Sequence, residues 1–141
     1  MKDNFVIQPV TWQTHAAPLK KLREEVFIKE QHVPVVLEWD DKDESAQHLL
    51  ALSAAGEPIG CARLTADGSI GRMAVLKPWR GLGVGRALLA KAVSIYQQQG
   101  VGHITLSAQV HAIPFYEKSG FKGCSEPYLD ADILHIDMRL K

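Results

Sequence analysis

Cysteine is scarce in this chain: Cys61 and Cys124 are its only two among 141 residues. They lack the close spacing of a zinc knuckle or a disulfide framework, so no metal site is expected. No apolar run is long enough to span a bilayer, and Met1-Lys2-Asp3-Asn4 leads into no signal-peptide core. The expectation is a soluble, cytoplasmic protein with no membrane partner. Excess charge is missing too, since 16 Lys and Arg face 16 Asp and Glu. That argues against a general nucleic-acid binder, which carries a basic surplus. Internal repeats, low-complexity stretches and Pro/Gly/Ser-rich linkers are absent, so residues 1–141 read as a single domain. What is present is a globular composition, 46% hydrophobic and 23% charged. At this length folding buries roughly two-thirds of the unfolded surface, and no staple is required.

The most local absence is of acid. From Gly68 through Tyr116 there is no Asp or Glu, while Arg72, Lys77, Arg80, Arg86 and Lys91 all fall there. The acids lie elsewhere, five of them within Glu38–Glu44 (EWDDKDE). A run of like charge is often no more than solvated surface. An acid-free stretch that also holds a glycine-rich turn reads instead as a site for an anion, in a protein that meets a cation elsewhere.

Phe5 to Trp12 is rich in β-branched and aromatic residues and predicts a first strand. Leu19, Leu22, Val26 and Phe27 recur at helical spacing between His15 and Gln31, and Pro34 stops continuation. The acidic segment up to about Gln47 reads as a long loop. Three strands follow, at 48–54, 58–65 and 69–76, with turn signals at Gly56 and Asp67-Gly68 that make them antiparallel hairpins. After the glycine-rich turn a helix runs to Gln99, ended by Gly100. A strand at 103–107, a short helix at 112–119 and strands at 121–124 and 133–140 close the chain.

The turn Arg80-Gly-Leu-Gly-Val-Gly-Arg86 between strand and helix suits an anion. Glycine allows close backbone approach, and a helix N-terminus offers unpaired N–H groups and the positive end of its dipole. A P-loop would need G-x-x-x-x-G-K-[ST], which does not occur. A Rossmann fingerprint would need a third glycine where Arg86 stands and an acid about 20 residues on, whereas none appears before Glu117.

The run RMAVLKPWRGLGVGRALL closely resembles the R/Q-x-x-G-x-G/A motif of GNAT-type N-acetyltransferases, with Arg80, Gly83 and Gly85 at its marked positions. HAIPFYEKSGF, residues 111–121, resembles the family's A-x-x-F-Y-x-K-x-G-F signature. LREEVFIKEQHVP and EWDDKDESAQHLLAL further resemble the ElaA/YjcF-like branch. The resemblance implies an α/β (α+β) fold: a mixed, mostly antiparallel central sheet of about six to seven strands, flanked by helices. It also implies acetyl-CoA as co-substrate, CoA as product, and direct transfer in a ternary complex to a primary amine of a small molecule or peptide. Assembly as a homodimer is left open.

Carried over residue by residue, the resemblance puts the main chain of Met73, Ala74 and Val75 against a pantetheine arm. It puts a pyrophosphate on the amides from Arg80 through Gly81, Leu82, Gly83, Val84 and Gly85 to Arg86. Tyr116 matches the tyrosine that faces the CoA sulfur, and a phenol near its reference pKa of about 10 is protonated at neutral pH. Gln109 is a weaker cofactor contact. Glu30, His32, Glu38 and Asp40, with His48, fall on the acceptor side, and no general base is assigned among them. A cysteine nucleophile is disfavoured, because neither thiol has an obvious base beside it. A non-catalytic acyl-CoA-binding or sensor module is the competing reading, and Tyr116 speaks against it.

Overall fold

Eight strands, alternating at the edge and nearly continuously buried in the central β2 and β3, form the sheet of the computed structural model, which describes residues 4–140. They are β1 (Phe5–Val10), β2 (Gln47–Ser53), β3 (Pro58–Leu64), β4 (Ser69–Val75), β5 (Thr105–Gln109), β6 (Phe121–Gly123), β7 (Tyr128–Asp130) and β8 (Ile133–Leu140). The sheet order is β1-β2-β3-β4-β5-β8-β6, with β7 pairing β8. Every pairing is antiparallel except β4 with β5. The mixed, mostly antiparallel sheet is the one expected, with one strand more. That strand is β7, joined to β8 through Ala131 (φ 52) and Asp132 (φ 62). A two-residue turn with both φ positive is normally written Asn-Gly or Asp-Gly, so Ala-Asp carries no hairpin signal.

Helices cover both faces. On one, α3 (Val84–Gln98) buries Leu88, Leu89, Ala92 and Tyr96 against Ala62, Leu64, Leu106 and Met138. On the other, α1 (Trp12–Arg23) sets Leu19 and Leu22 against Leu50, Cys61 and Ala74. Thr11 caps α1, its hydroxyl accepting from the Thr14 amide. Pro18 lies inside α1, and His15 leaves helical geometry just before it.

The helix predicted over His15–Gln31 therefore begins earlier, and its second half is π-helical from Glu24 to Glu30. The wider turn, closed by the Gln31 amide on the Val26 carbonyl at 3.0 Å, re-aims the side chains that follow it. The acidic loop contains one helical turn, α2 (Val35–Glu38), and α4 (Ile113–Glu117) is the short helix expected near the end. No helix among the described residues is long and apolar enough to cross a membrane.

Candidate active site

The site begins where the sheet comes apart. β4 and β5 pair only at Ser69↔Thr105 and Ile70↔Leu106. Beyond that, β4 follows β3 through an irregularity between Cys61 and Arg63 that puts Arg72 at φ 46, while β5 follows β8 as far as Gln109↔His135. The wedge between them opens into a cleft of ≈ 1050 Å³. Met73, Ala74 and Val75 line it from β4, and Ser107 and Gln109 from β5.

At one end of the wedge stands the glycine turn. Gly81 and Gly83 have φ of 77° and 89°, which hold the chain in a conformation costly to any side chain. Gly60 in β3 serves differently: a Cβ there would meet the Ala74 carbonyl oxygen at 3.0 Å and Val84 and Leu88 at 3.3 Å. Its absence lets the first turns of α3 sit down on the sheet. Among the described residues no acceptor meets the N–H groups of Gly81, Leu82, Gly83, Val84, Gly85 or Arg86. A run of unpaired amides at the N-terminus of a 15-residue helix fits a diphosphate. Gly81, Gly83, Val84, Gly85 and Arg86 line the cleft, whereas the Leu82 side chain points out to solvent.

Arg80 does something the sequence did not suggest. Its terminal nitrogens donate to both carboxylate oxygens of Glu30 at 2.6 Å, and its Nε donates to the Val75 carbonyl at 2.9 Å. The hydrogen bond from Arg80 holds the Glu30 carboxyl below its ordinary pKa. One residue expected on the cofactor and one expected on the acceptor are thus each other's partner across the cleft.

Tyr116 projects from α4 into the same cleft. Its ring packs edge-on against Phe115 and Phe121, with centroids 5.1 and 6.3 Å away. Burial pushes the phenol up to about 12. No protein group among the described residues bonds its hydroxyl, which leaves a protonated donor for whatever enters the wedge.

The half of the cleft expected to take the acceptor is walled by the π-helical segment, α2 and β8. Gln109 donates from its side-chain amide to Gln31 at 2.8 Å, tying β5 to the end of the π-helical segment. Glu38 lines the cleft but is buried in a charge cluster, contacting Arg23 at 2.8 Å and Arg72 at 3.0 Å. Asp43 bonds Arg23 at 2.7 Å and Arg63 at 3.1 Å, and Asp40 bonds Arg63 at 2.7 Å and Arg72 at 3.3 Å. Three arginines thus neutralise three of the five acids expected to draw a cation by their charge. Asp40 does not line the cleft, and neither does His32, which is exposed at φ 60.

His48 is buried, its Nε2 2.9 Å from the Asp43 carbonyl oxygen and its ring 5.3 Å from that of Trp12. Burial holds its pKa below the ordinary value, and its role is structural. Cys61 is buried and its thiol is pushed up to about 12 by desolvation, so it is inert; Cys124 is exposed and outside the cleft. Residues the sequence did not flag also line the cleft: Gln31, Arg63, Asp130 and His135. His135 carries no local signal, because the turn before β8 is not advertised by its residues and its partners on β5 and β7 are distant in sequence.

A family model described as an acetyltransferase (GNAT) domain matches residues 12–141. The chain is similar to the uncharacterized N-acetyltransferase YjcF of Bacillus subtilis, 36% identical over 121 residues covering 83% of this chain and 86% of that protein. Among solved structures it is similar to an acyl-CoA N-acyltransferase from Pseudomonas aeruginosa, at 31% identity and TM-score 0.82, covering 98% of this chain and 99% of that one. It is similar also to Escherichia coli ElaA, at 26% identity and TM-score 0.86, covering 98% of this chain and 100% of that one.

Proposed function

The chain belongs to the GNAT acetyltransferase family, an acyltransferase with acetyl-CoA as co-substrate and an amine as acceptor, and from that premise we propose how its own residues divide the work. The acceptor is a primary amine of a small molecule or peptide, and transfer is direct, within a ternary complex. The setting is the cytoplasm. When bound, acetyl-CoA supplies an activated thioester carbonyl.

The amides from Gly81 to Arg86 hold the diphosphate, supported by the helix dipole of α3. Main-chain groups of Met73, Ala74 and Val75 orient the arm along the edge that β4 exposes by leaving β5. The Tyr116 hydroxyl donates to sulfur as negative charge builds there. Direct transfer is favoured over a covalent acyl-enzyme because no thiol among the described residues lines the cleft. The observation that carries the reading is the convergence in one cleft of five residues of the glycine turn with unpaired backbone donors and a phenol with no protein partner among the described residues.

A thiol-release assay with acetyl-CoA and a panel of amines and peptide N-termini tests it, beside calorimetry with CoA. Binding with amine-dependent thiol release is expected. Binding without release for any amine would leave an acyl-CoA sensor; no binding at all would sink the assignment.

A further inference from the structure

His135 lies on β8, only 8% exposed. Alternation along β8 sends Ile136 and Met138 into the core that α3 covers, so His135 takes the opposite face, where Gln109, its register partner, reaches Gln31. Its Nδ1 lies 2.7 Å from the Ile133 carbonyl oxygen. A carbonyl only accepts, so the proton of the neutral ring sits on Nδ1 and Nε2 carries a bare lone pair. No described residue bonds that Nε2. The ring is held flat against Tyr128, centroids 6.0 Å apart and planes 19° from parallel. Tyr128 is itself fixed by hydroxyl contacts to Asp137 Oδ1 at 2.6 Å and to Ser107 Oγ. Tyr116, by contrast, packs with the core on the α3 face. The cleft is therefore lined by a proton donor from one side of the sheet and a proton acceptor from the other.

We propose that His135 Nε2 is the base that takes the proton from the acceptor amine, an inference that rests on the acetyltransfer reading above. The neutral amine's nitrogen bonds to the thioester carbonyl carbon and its proton passes to Nε2. The C–S bond breaks, its electron pair leaves on sulfur, and Tyr116 donates to that sulfur. The imidazolium then returns its proton to solvent, and the thiolate, hydrogen-bonded to Tyr116 as it leaves, takes its proton from solvent. Orientation by a carbonyl at Nδ1 is the arrangement that keeps a histidine base in one tautomer. The charged and titratable groups around it are Tyr128 and Asp137 from its own hairpin, and Asp130, Glu38, Arg63 and Arg72 among the residues lining the cleft. Of these, the Asp130 side chain alone forms no ion pair or hydrogen bond among the described residues, which leaves an exposed carboxylate in the cleft lining to face an incoming ammonium, whose extra proton passes to solvent before the neutral amine attacks.

The test is His135→Gln, with ¹⁵N NMR of the wild-type imidazole as a readout independent of turnover. Kcat at saturating amine should fall by about 10²-fold or more, while CoA affinity measured by calorimetry stays within about twofold, since the amide turn is untouched. The wild-type kcat should rise with pH through an ionisation that the variant lacks, and added imidazole should restore part of the variant's rate. The NMR spectrum of the neutral ring should show the proton on Nδ1. A variant with wild-type kcat and pH profile, or a ring protonated on Nε2, overturns the proposal alone. A wild type that binds CoA yet acetylates no amine overturns the underlying reading and the proposal with it.

Discussion

Tyr116→Phe removes one hydroxyl and almost nothing else. The ring keeps its edge contacts with Phe115 and Phe121, and the lost oxygen bonds no described protein group. Folding stability should therefore change by no more than about 0.5 kcal/mol. The catalytic loss follows from the phenol's acidity. Held at about 12, it is fully protonated at neutral pH, yet it is a poor acid toward a thiolate whose conjugate thiol titrates near about 8.5. Complete proton transfer would run uphill by roughly 3.5 units, or about 5 kcal/mol. On the proposed mechanism Tyr116 supplies instead a hydrogen bond to developing charge, worth about 1.5–3 kcal/mol. Kcat should thus fall by about 10- to 150-fold, with CoA affinity by calorimetry and the amine KM within about twofold of wild type.

The same acidity removes Tyr116 as the source of any rate loss at moderately alkaline pH, because the phenol does not ionise until about 12. Steady-state thiol release for both proteins decides the matter. Kcat within twofold of wild type would mean that the hydroxyl only packs. A loss beyond about 10⁴-fold would mean that proton delivery is obligatory and that a hydrogen bond alone does not account for the role.

Gly83→Ala places a Cβ at φ 89, costing about 1–2 kcal/mol of turn geometry; CoA affinity should drop at least about tenfold with circular dichroism unchanged, and an unaltered affinity would take the diphosphate off this turn. Arg23→Met leaves buried Glu38 and Asp43 each short of one partner; chemical denaturation should show a loss of about 3–5 kcal/mol, and a loss below about 1 kcal/mol would mean the remaining arginines suffice. Burial works to raise the Asp40 pKa, but the hydrogen bond from Arg63 and the charges of Arg63 and Arg72 win and lower it. Its stabilisation is therefore present above the unfolded carboxyl range near about 4 and is lost as pH falls through and below it. Urea midpoints between pH 5 and 3 should decline less steeply in Asp40→Asn, and equal slopes would discount the pair.

Whatever is written in neighbouring residues can be read from the chain. The glycine turn, α3 with its stop at Gly100, and the hairpins at Gly56 and Gly68 are local agreements of turn chemistry with periodicity. The features that escape such reading are those settled by distant partners. Arg23, Arg63 and Arg72 lie far along the chain from the acids they neutralise, so EWDDKDE by itself looks like a free negative surface. β7 is hidden because Ala131 and Asp132 adopt positive φ without the residues that advertise it. The π-helical turns look like ordinary helix because a one-residue widening barely disturbs the spacing of Leu22, Val26 and Phe27. His135 does not stand out because its neighbours on β5 and β7 are known only once the strands pair.

The charge asymmetry along the chain acquires a different meaning once these pairs are in place. Of the five bases in the acid-free stretch, Arg72 is engaged by Glu38 and Asp40, and Arg80 by Glu30. Arg86 alone among the other three lines the cleft, and its side chain is exposed. On the proposed reading, recognition of the diphosphate falls mainly on backbone donors and the dipole of α3, which are fixed in direction and carry no mobile counter-charge, with Arg86 the base of the stretch left to join them. Side-chain charge works on the other half of the cleft. There Arg72 and Arg80 anchor α2 and the π-helical segment to β4 and its outgoing turn, the segments that wall the acceptor half. On that reading the stretch without acids serves both substrates, with amides for the anion and arginines bracing the wall against which the amine would be placed.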